Sequence, residues 1–510
     1  MSRSLLSEPL ILLLLIGTGW CVLKDSKIEA LYDGSVLQMP LTNLASSEPF
    51  IKQITIAPSS NTTFNVTNVS SSASFIIVQV HTYQYNVTLS YDKDHLHKVS
   101  NRSVFGSNIG LYVKAGSSIV TQLYLRNDNL HLVDAIAVAI IYNDKAPVPG
   151  GCNMEFNTEI APYARLQLQD TMVVFDTQPA SIPFNDTVKP FCDKNPVEHS
   201  MYQMFITEQD FSPESYFIAI SSMLTVDDIV ENGRKVSSTT LLSPMRKVFS
   251  AYTGTGSVYV AVATYGKLST AYVPTFSYAC SPVLYPESCD VLTDTFPKFI
   301  CAGCFFLGLL SVCLGHYHLP IDQSLPIFFT STILGYMITQ NIGWALLIGL
   351  FGMILWHCFR VCFPILGLGL FNISLGFFFT NVVYFHAPDS FIILQSNWVF
   401  WSLFASMVVL ISLIMMSLHI VACVVSCAIY SSYMMVLPLD YWVGSSLKYI
   451  IINVIRRATV DGYQDAIISP PTQGKDIALI CLWVLLAAYR CIKGSVSGIS
   501  GEKIPLLSDM

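Results

Sequence analysis

The 510-residue chain has little charge. Lys, Arg, Asp and Glu make up 12% of it, about half the share of an average soluble protein. From residue 298 to 437 the acidic residues are Asp322 and Asp389, and both are expected in loops. After Lys298 the basic residue in that stretch is Arg360, beside His357, and the two read as an interfacial pair. Proton relays and ion-coupled transporters place Asp, Glu or Lys near the membrane midplane, and no such residue is expected here. The chain also lacks G-x-S-x-G, H-E-x-x-H, a phosphate loop and a dinucleotide fingerprint. It reads as a non-enzyme without a cofactor. Its net charge of −7, with no basic domain, excludes nucleic acid as a partner.

What the chain does have is apolar length. Seven windows, at 298–317, 324–341, 342–359, 361–384, 397–417, 419–437 and 475–491, approach the roughly 20 residues that cross a bilayer as helix. The expected fold class is a multi-pass α-helical membrane domain of seven spans behind an all-β N-terminal ectodomain. Gly343, Gly349 and Gly352 in the third window and Gly367, Gly369 and Gly376 in the fourth predict a tightly packed 3–4 hairpin.

Residues 1–23 read as a signal peptide, with Arg3 before the apolar run 10–16 and small residues at 17–19. From residue 24 onward, period-2 apolar runs such as 75–80, 119–125, 135–142 and 258–265 alternate with Gly, Asn, Ser and Pro. They predict two tandem β-sandwiches, at 24–146 and 150–283; 216–220 is a further period-2 run, and 212–230 is the one stretch with a helical alternative. The membrane domain then occupies 297–491 and a cytosolic tail 492–510. Asn-x-Ser/Thr acceptors at Asn61, Asn65, Asn68, Asn86, Asn101 and Asn185 predict a glycosylated lumenal or extracellular surface. Asn372 fits the pattern inside an apolar window and is expected to stay unmodified. Cys152, Cys192, Cys280 and Cys289 form an even set in an oxidising compartment and predict two disulfides, with three connectivities open. Cys301 and Cys304, and the pairs His95/His97 and His316/His318, lack the further ligands that a metal site requires.

The longest membrane loop is 438–475. Seven spans from a lumenal N-terminus put it on the lumenal side, although Lys448, Arg456, Arg457 and Lys475 run against the positive-inside tendency. Within it, the apolar stretch 447–454 is open to interfacial, re-entrant and spanning readings. A spanning segment would carry the tail into the lumen. The tail itself reads Glu502-Lys-Ile-Pro-Leu506-Leu507, an acidic dileucine pattern that a clathrin adaptor binds from the cytosol. It predicts routing to endosome or lysosome besides the plasma membrane.

At 147–156 (PVPGGCNMEF), 271–280 (AYVPTFSYAC) and 440–457 (DYWVGSSLKYIIINVIRR) the chain resembles the transmembrane 7 superfamily member 3 family. The membrane block is also similar to that of transmembrane protein 198. The resemblance implies a signal peptide, a glycosylated N-terminal domain, seven spans and a link with cell survival under stress. It implies no ligand, cofactor or catalytic residue. The expected partners are membrane lipid, a clathrin adaptor and a protein or lipid bound outside the cytosol. The alternative is a channel or lipid transporter built on the Gly-rich 3–4 hairpin. A G-protein-coupled receptor would show D-R-Y and N-P-x-x-Y where this chain has WHCFR and CLWVLLAAYR.

Overall fold

The computed structural model describes residues 28–499, apart from 42–47, 71–72, 97–101, 116–119, 153–163, 170, 183–191, 193–195, 237–244, 291, 293–294, 315–318 and 388–390. Ten strands build the first domain: β1 (Glu29–Leu31), β2 (Val36–Pro40), β3 (Phe50–Ile56), β4 (Ser60–Thr67), β5 (Ala73–Thr82), β6 (Val87–Ser90), β7 (Ser103–Gly106), β8 (Asn108–Lys114), β9 (Val120–Asn127) and β10 (Val133–Asn143). They form two five-stranded sheets, β1-β3-β10-β5-β8 and β2-β4-β9-β6-β7. Strand β4 alternates as expected of a strand with one dry face. Phe64 and Val66 point into the core, while Asn61, Thr63 and Asn65 point out.

Strands β5 and β10 depart from that alternation, because they are buried on both faces. Val78, Val80, Ala137 and Ala139 face the core between the two sheets of the first domain. Phe75, Ile77, Ile136, Val138 and Ile140 face the other way, into a second core shared with the following domain. The runs 75–80 and 135–142 are therefore near-continuously apolar for the reason that applies to any strand covered on both sides.

The second domain contains β11 (Ala164–Gln169), β12 (Met172–Thr177), β13 (Glu198–Phe205), β14 (Arg234–Val236), β15 (Arg246–Ser250), β16 (Ser257–Tyr265), β17 (Leu268–Ala271) and β18 (Thr275–Ser277). Two short helices, α1 (Pro213–Ser221) and α2 (Val226–Asn232), take up most of the stretch with a helical alternative, and the period-2 run 216–220 is helix in α1 rather than strand, its Tyr216, Phe217, Ala219 and Ile220 all buried. Both start with a hydroxyl cap, Ser212 on Ser215 N–H and Thr225 on Asp228 N–H. One sheet runs β14-β13-β16-β17, with β18 also on β16. Its outer face and α1 pack against the first domain through Tyr202, Tyr216, Ile220, Val258 and Val260. The other sheet runs β11-β12-β15 and ends on β19 (Ala466–Ile467), a strand from the far end of the chain.

Seven long helices follow: α3 (Thr295–Leu314), α4 (Leu319–Thr339), α5 (Ile342–Cys362), α6 (Pro364–Phe385), α7 (Asn397–Ser417), α8 (His419–Val443) and, after the short α9 (Tyr449–Thr459), α10 (Gly474–Ile499). Among the described residues, α3, α5, α6, α7 and α8 are long and apolar enough to cross a membrane. Glycines set the closest approaches, but not where the sequence suggested. Gly349 and Gly352 of α5 lie against Thr332 and Ser331 of α4, so the tight contact is with the preceding helix. Gly367 alone of the six meets α5, at Arg360. Gly376 of α6 packs on α7, where an added Cβ would stand 2.5 Å from Val408 O.

Asp322 was expected in a loop. It instead lies in the first turn of α4, buried, 2.7 Å from Arg490 Nη2 of α10. The ion pair explains how a carboxylate is tolerated there, since each charge neutralises the other out of water. Asp389 lies outside the described residues.

Candidate functional site

The most densely built polar region joins the second domain to the helices. Helix α8 ends at Gly444, whose left-handed φ of +70° turns the chain back. A side chain there would be strained by the backbone and would also displace the Gln209 amide, which lies 2.5 Å from where a Cβ would stand. The turn is held by Asp440, which accepts hydrogen bonds from the backbone N–H groups of Leu447 (3.0 Å) and Lys448 (3.1 Å) and from the Ser445 hydroxyl. Asp476, in the first turn of α10, accepts from Ser446 N–H at 2.6 Å and Gln473 N–H at 2.7 Å. A carboxylate there also faces the positive end of the α10 dipole.

Into this frame the second domain inserts Glu208. Its Oε1 is 3.2 Å from Lys448 Nζ, which lies 3.6 Å from Asp440 Oδ2. All three side chains are buried. Burial raises the Glu208 carboxyl above its usual range, and Lys448 pulls it back down. For Lys448 burial acts downward, but Asp440, Tyr449 and Glu208 outweigh it and the ammonium is held above its usual range. The surrounding backbone is clamped as well. Gln473 accepts from Glu208 N–H (3.1 Å) and donates to Ile206 O (2.9 Å), and Lys475 Nζ donates to Glu208 O (3.2 Å).

A second contact lies beside the first. Strand β19 pairs in parallel with β15, Val248 opposite Ala466 and Phe249 opposite Ile467. Helix α9 packs next to it. Arg456 donates to Ala251 O at 2.7 Å, Tyr449 OH accepts from Thr253 N–H at 3.0 Å, and Tyr463 OH lies 2.8 Å from Ser250 Oγ. Beneath these, Met172, Val174, Val248 and Tyr252 of the domain share one apolar core with Phe378, Tyr433, Tyr449 and Val454. Helix α9 has 11 residues, about 16 Å of rise, which is too short to span. Of the three readings left open for 447–454, spanning is thereby removed.

The charged residues flanking apolar runs in 438–475 are legible in the sequence, whereas Glu208, Gln473 and Asp476 carry no local signal of their role. Nothing local to Glu208 marks it, since its partners lie some 230 to 270 residues away. The cysteines pair as Cys152–Cys192 and Cys280–Cys289. Of the glycan acceptors, Asn68 and Asn86 are exposed, and Asn61 and Asn65 are half-buried on the outward face of β4. Asn101 and Asn185 lie outside the described residues, as do Glu502, Leu506, Leu507, His97, His316 and His318. No group of three metal-ligating side chains comes together among the described residues.

Comparison with known proteins follows the same three-part layout. Residues 42–142 match the TM7SF3-like N-terminal immunoglobulin-like domain and 147–283 the TM7SF3-like second immunoglobulin-like domain. Residues 301–493 match the TM7S3/TM198-like domain. The chain is 27% identical over 453 residues to transmembrane 7 superfamily member 3 of Homo sapiens, covering 82% of this chain and 77% of that protein. It is 28% identical over 455 residues to the Mus musculus protein of the same name, covering 82% and 78%. Two immunoglobulin-like domains joined to that helical domain identify an integral membrane protein, and the chain belongs to the transmembrane 7 superfamily member 3 family.

Proposed function

We propose that this is a non-enzymatic, glycosylated seven-span membrane protein whose ectodomain binds a protein or lipid partner and transmits that binding to the helices through the α8–α10 connection. Seven spans require α4 and α10 to cross alongside the five more apolar helices. The Asp322–Arg490 pair supports this by neutralising one charge on each. With α9 and β19 against the second domain, the connection lies on the ectodomain side. That placement supports an extracellular or lumenal N-terminus and a cytosolic tail in which Glu502, Leu506 and Leu507 meet a clathrin adaptor. The destination is the plasma membrane, the endosome-lysosome system, or both, with a role in cell-survival signalling under stress.

The observation that carries the reading is the single apolar core shared by the second domain and the helices. A ligand that shifts the domain must shift the helices too, because packed cores move in discrete steps. Proximity labelling from the ectodomain of the full-length chain tests it. A partner set that disappears when 24–283 are deleted supports the proposal, and recovery of no extracellular or lumenal partner counts against it.

A channel or lipid transporter is the second reading. It draws on Asn372, fully buried in α6 with neither amide atom hydrogen-bonded, an arrangement that costs free energy without a ligand or water. Purified protein that moves neither ions nor lipid across liposomes removes it.

A further inference from the structure

Helix α5 ends in a run that carries two cysteines one turn apart, Cys358 and Cys362, and both are exposed. At 1.5 Å per residue they stand about 24 Å and 30 Å along the helix from Ile342. The second distance is the thickness of a hydrocarbon core, about 30 Å, so the pair sits at its edge. Three further observations mark this edge as a boundary. Arg360 lies between the cysteines, with its guanidinium 5.7 Å from the centre of the Trp356 ring. Trp356 is buried and donates from Nε1 to Gly367 O at 2.9 Å, which fixes the α5–α6 corner and turns Cys358 and Cys362 away from the bundle. Around them Val361, Phe363 and Ile365 are each more than 60% exposed, an apolar ledge on which a hydrocarbon chain can lie.

We propose that Cys358 and Cys362 are S-acylation sites. The donor is a long-chain fatty acyl thioester. The Cys Sγ thiolate attacks the thioester carbonyl carbon and forms a new S–C bond. The donor's own C–S bond breaks, and the departing thiolate takes up the proton that the cysteine thiol released. No oxidant or reductant is needed. The acyl chain then lies along the ledge and the membrane beside α5. Three of the other free cysteines supply internal contrasts. Cys423 and Cys427 lie near the same end of the helices but are buried. Cys481 is exposed but sits early in α10, at the opposite end.

The proposal rests on the orientation above, in which the C-terminal end of α5 faces the cytosol. The test uses the full-length chain in cell membranes. Free thiols are blocked, thioesters are cleaved with hydroxylamine, and the released thiols are tagged with a polymer maleimide. We expect up to two mass increments in the natural chain, at most one in Cys358→Ser or Cys362→Ser, none in the double variant, and no change in Cys481→Ser. Absence of hydroxylamine-dependent tagging in the natural chain, or tagging that persists in the double variant, overturns the proposal. A second readout separates it from the orientation. In Cys358→Ser, an impermeant maleimide is applied after hydroxylamine with the plasma membrane opened and the lumen sealed. Cys362 that reacts there but never carried an acyl group overturns S-acylation alone. Cys362 that reacts only when the lumen is opened overturns the orientation, and S-acylation with it.

Discussion

Lys448 holds Glu208 at 3.2 Å across 240 residues of sequence, and both side chains are buried. The pair fastens an immunoglobulin-like domain to the end of a membrane helix. Removing Lys448 leaves two buried carboxylates, Glu208 and Asp440, without their cation. Lys448→Met is expected to destabilise the junction by about 3–5 kcal/mol. The double variant Lys448→Met/Glu208→Gln recovers part of that loss if direct pairing is the cause. Thermal unfolding of the purified chain in detergent, followed with the two variants side by side, measures both.

His199 gives a pH dependence. Its Nε2 accepts the Ala180 N–H at 2.9 Å, so that nitrogen carries no proton in the folded chain. Burial, opposed by a hydrogen bond to Val197, lowers its pKa from 6.5 to about 4. The unfolded chain then binds a proton that the folded chain refuses. Stability is complete above pH 6.5 and declines as pH falls from 6.5 toward 4. At pH 5 the loss is about 1–2 kcal/mol. His199→Gln is expected to flatten the difference between melting curves at pH 7.5 and pH 5, and an unchanged difference would assign it to other groups.

The two disulfides close loops of unequal length, 40 residues for Cys152–Cys192 and 9 for Cys280–Cys289. The longer loop restricts the unfolded chain more, by about 3–4 kcal/mol against about 2–3 for the shorter. Cys152→Ser/Cys192→Ser is therefore expected to be the more protease-sensitive variant in limited proteolysis.

Glycine packing separates contact from ornament. An added Cβ at Gly308 would stand 2.6 Å from the Met435 backbone N of α8, whereas one at Gly369 meets nothing within 4 Å. Gly308→Ala is expected to lower the thermal midpoint by several degrees and Gly369→Ala to leave it unchanged. Equal effects would mean that close approach of α3 and α8 is not what Gly308 provides.

The parallel pairing of Val248 with Ala466 predicts a cross-link. With Val248→Cys/Ala466→Cys, an oxidising lumen should join the second domain to the α9–α10 connection. After cleavage at a protease site inserted between 290 and 295, outside the Cys280–Cys289 loop, the two fragments are expected to stay together until reduced.

Much of this architecture is written locally. Long apolar windows located the helices, because the demand for backbone hydrogen bonds in lipid leaves few alternatives. Val-, Ile- and Tyr-rich runs between turn residues located the strands. Long-range arrangement escaped the sequence for identifiable reasons. Strands β5 and β10 are apolar on both faces because a second domain covers them, and no residue in either strand says what the cover is. Asp322 looked like a loop residue because its partner, Arg490, is 168 positions away. The two residues of β19 are too few for any periodicity to register.

The late position of β19 also bears on how the protein is made. Chains emerge from the ribosome from the N-terminus onward, at about 5–20 residues per second. The sheet of the second domain lacks its last strand until residues 466 and 467 have been synthesised, after six of the seven long helices. In the orientation proposed above, chaperones on the ectodomain side therefore meet an open sheet edge for as long as the membrane segments are unfinished. Maturation of the outer half becomes a report on the insertion of the inner half. A chain that misplaces a helix keeps that edge exposed, and it can be retained before export without any separate inspection of its membrane domain.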